Sequence, residues 1–138
     1  AIMIDINEVF NDSFERITPV LNDFVDGFYS SFLEQSESIK TLFDQIDMNQ
    51  QKNMLKESFL YLINFAATKK ADSYLCEIAQ SHQQKLLISG NMYDIWLESL
   101  VQTLKSFDKK FTPSVELAWR VSMAPGIEFM KSYPDHSS

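Results

Sequence analysis

Apolar residues recur along this chain at three- and four-residue steps over nearly its whole length, the spacing that lines one face of an α-helix. No stretch alternates apolar and polar positions for long enough to make a strand. A first helix is expected from about Ile6 to Arg16. Thr18-Pro19 then reads as an N-cap with proline at the first helical position. The helix it opens carries Leu21, Phe24, Val25, Phe28, Tyr29, Phe32 and Leu33 on one broad stripe. A short helical turn, Ser38 to Leu42, leads to Phe43. Asp47-Met48-Asn49-Gln50 has the form of a capping box and starts a long helix to about Ala67, with Met48, Gln51, Leu55, Leu62 and Phe65 facing inward. A helix through Asp72 to His82 follows, Ser89-Gly90-Asn91 breaks the pattern, and another helix spans about Met92 to Phe107. Thr112-Pro113 repeats the cap-plus-proline signal and opens the last helix, which Pro125-Gly126 should bend. The tail from Pro134 should fray. The expectation is one all-α domain over residues 1–138, with about seven helices and short connections, a count that fits a four-helix bundle poorly.

Composition changes this picture only in part. The 138 residues suffice for one sizeable core, and 45% hydrophobic with 22% charged residues is ordinary for a soluble globular protein. With 11 Phe, 5 Tyr and 2 Trp, the chain is rich in rings; these serve either as large core side chains or as walls around a flat ligand. The formal charge is −7, and the 12 basic residues are scattered and outnumbered. Nucleic acid is therefore not an expected partner, and an anionic membrane surface is disfavoured for the same reason. No apolar run reaches the ~18 residues of a spanning helix. Ala1-Ile2-Met3-Ile4 lacks the basic lead and long apolar region of a signal peptide. Cys76 is the only cysteine, so no internal disulfide can form, and a reducing cytoplasm is the expected setting.

Candidate chemistry centres on His82. The only other histidine, His136, lies in the polar tail Asp135-His136-Ser137-Ser138. Helical steps back from His82 meet Ala79, Ile78 and Leu75, and a step forward meets Leu86, which places an imidazole on an apolar face. An inward imidazole needs a partner, either a hydrogen bond in the core or a metal. A zinc site would need three or four clustered ligands, and His82 has no nearby second histidine. No Gly-flanked serine turn supports a triad, and no phosphate loop is present. A metal at His82 would have to bring its own equatorial ligands, as haem does.

Taken in order, the residues resemble the globin family, and within it the bacterial single-domain and flavohaemoglobin-like branch. The resemblance runs from about Ile6 to Tyr133. Phe28-Tyr29 through Leu42-Phe43 looks like the second globin helix and the short third one. Asp47-Met48-Asn49-Gln50-Gln51-Lys52-Asn53-Met54-Leu55 looks like the start of the distal helix. Ile78-Ala79-Gln80-Ser81-His82 followed by Tyr93-Asp94-Ile95-Trp96-Leu97 is similar to the proximal helix and the one after it. Ala118-Trp119-Arg120 with Pro125-Gly126-Ile127 and Met130 is similar to the last helix.

This resemblance implies a globin fold, a 3-over-3 helical sandwich in which the fourth globin helix is absent or minimal. It implies haem b (iron protoporphyrin IX) with His82 as the iron ligand, Phe43 as the ring wedged against the haem, and Leu55 as the apolar ceiling. It also implies Leu86, Ile88 and Tyr93 as further haem contacts, and Tyr29 and Gln51 as the distal gas-binding pair. The implied ligands are O2, NO or CO, bound reversibly for storage, delivery or sensing. Two other readings stay open: a nitric oxide dioxygenase or weak peroxidase working with an external reductase, and a signalling module without haem. The chain departs from the family pattern where many globins carry proline early in the third helix, having Gln35-Ser36-Glu37-Ser38 there. The flavohaemoglobin glutamate of the last helix also has no clear counterpart; the aligned region falls near Pro134.

Overall fold

The computed structural model describes residues 5–68 and 90–132, and for 62–68 the path of the helix alone. Helix α1 runs Ile6–Ile17 and is opened by Asp5, whose carboxylate accepts the Glu8 N–H at 3.2 Å. It buries Phe10, Ser13 and Ile17, one stripe at helical spacing. A single 3-10 turn, Thr18–Val20, joins it to α2, Leu21–Leu33. Thr18 is not the expected N-cap. Because α1 runs straight into the turn, its hydroxyl donates back to the Phe14 carbonyl at 2.8 Å, and the turn has no side-chain cap.

Helix α3, Glu37–Leu42, begins one residue earlier than expected because Ser36 caps it, accepting the Ile39 N–H at 3.1 Å. Helix α4, Met48–Thr68, follows Asp47, which takes the N–H groups of Asn49 and Gln50 at 3.1 and 3.3 Å. Helix α5 spans Gly90–Phe107, so Gly90 and Asn91 belong to the helix they were expected to precede. Helix α6, Pro113–Ser132, starts as the sequence suggests: Thr112 accepts the Val115 N–H at 3.2 Å and proline takes the first position. It stays helical through Pro125. Proline leaves the Val121 carbonyl without its ladder partner, and Val121 is 48% exposed, so water can reach that side of the helix. Six α-helices and no strand are found among the described residues, and none of these helices is long and apolar enough to cross a membrane.

Helix α6 packs on both α1 and α4, while α2 packs on α5. Trp119 of α6 is fully buried at the centre, with Phe10 tilted against it at 4.7 Å and Phe59 edge-on at 6.2 Å between ring centres. An indole N–H buried among rings needs an acceptor, and Nε1 donates to Ser13 Oγ at 2.8 Å. Ser13 in turn donates to Asp108 Oδ2 at 2.6 Å. Arg16 completes the cluster with Nε to Oδ1 at 2.6 Å and Nη2 to Oδ2 at 2.9 Å, and the Lys110 N–H adds 2.9 Å to Oδ1. The carboxylate that ends α5 therefore ties α1 to the α5–α6 corner. Burial alone would push the Asp108 carboxyl up, but Arg16, Ser13 and the Lys110 N–H outweigh it and hold it below the ordinary range. At the α2–α5 crossing, Gly27 permits close approach: a Cβ there would meet Phe107 Cε2 at 3.1 Å.

Candidate distal site

The site is assembled by three short-range devices. The stripe of α2 turns Phe24, Val25, Phe28, Tyr29 and Phe32 inward, all of them buried. The Ser36 cap and the six-residue α3 carry the chain to Phe43, whose N–H bonds the Ile39 carbonyl at 3.2 Å and whose own carbonyl accepts the Ile46 N–H at 3.1 Å. Asp47 then sets the phase of α4, so that Gln51, Leu55 and Phe59 follow at one-turn steps on one side. Leu55 and Phe59 are buried, and Gln51 is partly so.

These devices bring Tyr29, Phe43, Gln51 and Leu55 together. The Tyr29 and Phe43 ring centres are 6.4 Å apart, and Phe32 stands edge-on to Phe43 at 5.9 Å. Phe28 packs edge-on against Tyr29 at 5.0 Å and against Trp96 of α5 at 5.7 Å. The result is an aromatic wall containing one phenol. Tyr29 is only 4% exposed. Burial pushes its hydroxyl up to about 12, partly countered by a side-chain hydrogen bond from Gln51. The hydroxyl therefore stays protonated, a donor, across the physiological range. Tyr93 lies on α5, buried in the same core, and burial raises its phenol as well. His82, Leu86 and Ile88 lie outside the described residues. Among the described residues no group of three or more His, Cys, Asp or Glu could hold a metal ion.

Residues 26–125 match the sequence model of the globin family. The chain belongs to the globin family. Over 94% of this globin and 98% of its counterpart, the structure is also similar to a protein from Pseudomonas aeruginosa PAO1, at 31% sequence identity and a TM-score of 0.84. That protein's crystal structure is described as structurally highly homologous to a human haemoglobin. No curated protein sequence matches this globin. The globin fold and the all-α class expected from the sequence are thus borne out.

Two parts of the wall carry no site signal of their own in the sequence. Phe28 and Phe32 lie one turn apart on the apolar stripe that also holds Tyr29, and that spacing is the signal that ties them to the site. Trp96, one turn beyond Tyr93, reaches Phe28 across helices, and only the fold brings those two together. Lys52, the next residue after Gln51, pairs with Asp26 of α2 at 3.0 Å.

Proposed function

We propose that residues 1–138 form one haem-binding globin domain that reversibly binds O2 or another diatomic gas. The observation that carries this reading is the buried Tyr29 hydroxyl, held beside the Gln51 amide within a wall of rings. Such a phenol is costly to bury unless it bonds something. A flat apolar cofactor suits Phe43, Leu55 and the neighbouring rings, while a small polar ligand suits the Tyr29–Gln51 pair. His82 is the proposed iron ligand, with Leu86, Ile88 and Tyr93 as the proposed further contacts. Haem, when bound, would supply gas coordination and electron transfer.

The chain's own residues supply the selectivity. Tyr29 presents an O–H and Gln51 an N–H to a gas that takes on partial negative charge. Both donors are fixed by their helices before the ligand arrives, so little reorganisation is needed. In a low-dielectric pocket such bonds are stronger than in water. Phe32, Phe43 and Leu55 keep water from competing for them. Carbon monoxide acquires less charge and gains less, so the pair favours oxygen and slows its release.

Stopped-flow displacement tests this reading. A hydrogen bond to a strongly polar partner is worth roughly 1.5–3 kcal/mol, so Tyr29→Phe should speed oxygen release about ten- to a hundred-fold at ~1.4 kcal/mol per decade. Carbon monoxide release should change far less. Gln51→Leu should act in the same direction more weakly, because an amide on a longer side chain is less fixed. Equal oxygen release from Tyr29→Phe and the parent protein would make Tyr29 a packing residue.

A further inference from the structure

Helices α2 and α4 border an open polar groove of about 290 Å³, lined by Asn22, Asp26, Asn49, Lys52, Asn53 and Lys56 together with Val25. Two contacts cross it. Lys52 Nζ meets Asp26 Oδ1 at 3.0 Å, and Lys56 Nζ donates to Asn22 Oδ1 at 2.7 Å. Each runs from α4 to α2, the two helices that carry Gln51 and Tyr29. Lys52 is the next residue after Gln51, and the buried Val25 between groove and core stands one helical turn before Tyr29. The groove contacts and the Tyr29–Gln51 pair therefore span the same two helices.

We infer that Lys52 and Asp26, seconded by Lys56 and Asn22, are positioning residues for the distal pair: they clamp α4 to α2 and so set how closely Gln51 holds the Tyr29 hydroxyl. The inference rests on the reading of Tyr29 and Gln51 as the ligand-facing pair, but its physical content is the geometry of the two helices. Side chains 29% and 59% exposed make a modest clamp, since exposed ion pairs contribute little and are screened by salt. Modest is enough to tune a release rate. It also makes the pocket responsive to ionic strength, because the open groove admits ions to the clamp.

The test labels the tyrosines with carbon-13 at the phenol carbon and follows the Tyr29 resonance by NMR in the protein as purified, assigned by its loss in Tyr29→Phe. Lys52→Gln and Asp26→Asn should each shift that resonance, and about 1 M sodium chloride should shift it in the parent protein but barely in either variant. The exchanged pair, Lys52→Asp with Asp26→Lys, should return it towards the parent position. Oxygen release should quicken about two- to fivefold in each single variant and no further in Lys52→Gln/Asp26→Asn. A Tyr29 resonance unmoved by both single variants and by salt overturns the clamp, even in a protein that binds gas. A resonance that moves as described in a protein that retains no haem upholds the clamp and counts against the gas-binding reading instead.

Discussion

Arg16 grips Asp108 with two nitrogens, Nε at 2.6 Å from Oδ1 and Nη2 at 2.9 Å from Oδ2, across 92 residues of chain. The planar guanidinium matches the carboxylate fork, and Ser13 and the Lys110 N–H fill the remaining acceptor positions. Asp108→Asn keeps the shape but turns an N–H₂ group towards donors that require an acceptor. Loss of one member of a buried pair costs about 3–5 kcal/mol. Arg16 is 28% exposed, so its loss is partly relieved by water, and roughly 2–4 kcal/mol is expected for Asp108→Asn in urea unfolding at neutral pH. The folded-state carboxyl lies below its ordinary value. Its contribution is therefore full above the ordinary carboxylate range and is lost as pH falls through the lowered value. Asp108→Asn should show a flatter loss of stability with acid than the parent protein, and parallel curves would contradict the role given to this carboxylate.

The Tyr29 phenol gives a second pH prediction with the opposite sense. Its hydroxyl is pushed up to about 12, against ~10 for an unfolded tyrosine. The folded state resists ionisation, so stability from this group is intact below about pH 10 and declines from there towards 12. In an absorbance titration, the phenolate signal missing from Tyr29→Phe should emerge only near pH 12. A Tyr29 signal near pH 10 would mean that the ring is open to water.

Gly27 tests how tightly α2 and α5 approach. A methyl group there would meet the Phe107 ring at 3.1 Å, and Phe107 is half-buried at the end of α5, edge-on to Phe24 at 5.8 Å. Gly27→Ala gains about 1 kcal/mol of helix propensity and asks that ring to move by a few tenths of an ångström. The two effects should leave its stability within about 1 kcal/mol of the parent. Gly27→Leu cannot be accommodated in this way and should cost roughly 1–3 kcal/mol in the same urea series. Parent-like stability of Gly27→Leu would show that the crossing is looser than described.

The helices of the described residues were legible because apolar spacing is a local signal and each end carries its own chemistry, while the helix expected through Asp72 to His82 lies outside the described residues. Thr112-Pro113 and Thr18-Pro19 show the limit. Both have the same two letters, but Thr112 faces a free helix start and caps it, while Thr18 follows α1 without a break and bonds backwards. Asp108 was not legible at all. At a helix end it reads as a turn residue, yet it is buried, and its partners Ser13 and Arg16 lie 95 and 92 residues away. At the site, the positions of Tyr29, Phe43, Gln51 and Leu55 were available from likeness to a family. The Tyr29–Gln51 bond and the Phe28–Trp96 contact needed the packing of separate helices.

The central claim, a gas-binding haem site anchored at His82, is tested most directly by one absorption measurement: the reduced protein with and without carbon monoxide, for the parent and for His82→Ala side by side. The parent should retain haem through purification and show a sharp carbon monoxide difference spectrum. His82→Ala should lose tight haem retention, while His136→Ala should leave the spectrum unchanged. A parent protein that binds no haem, or a His82→Ala variant with the parent's carbon monoxide spectrum, would contradict the claim.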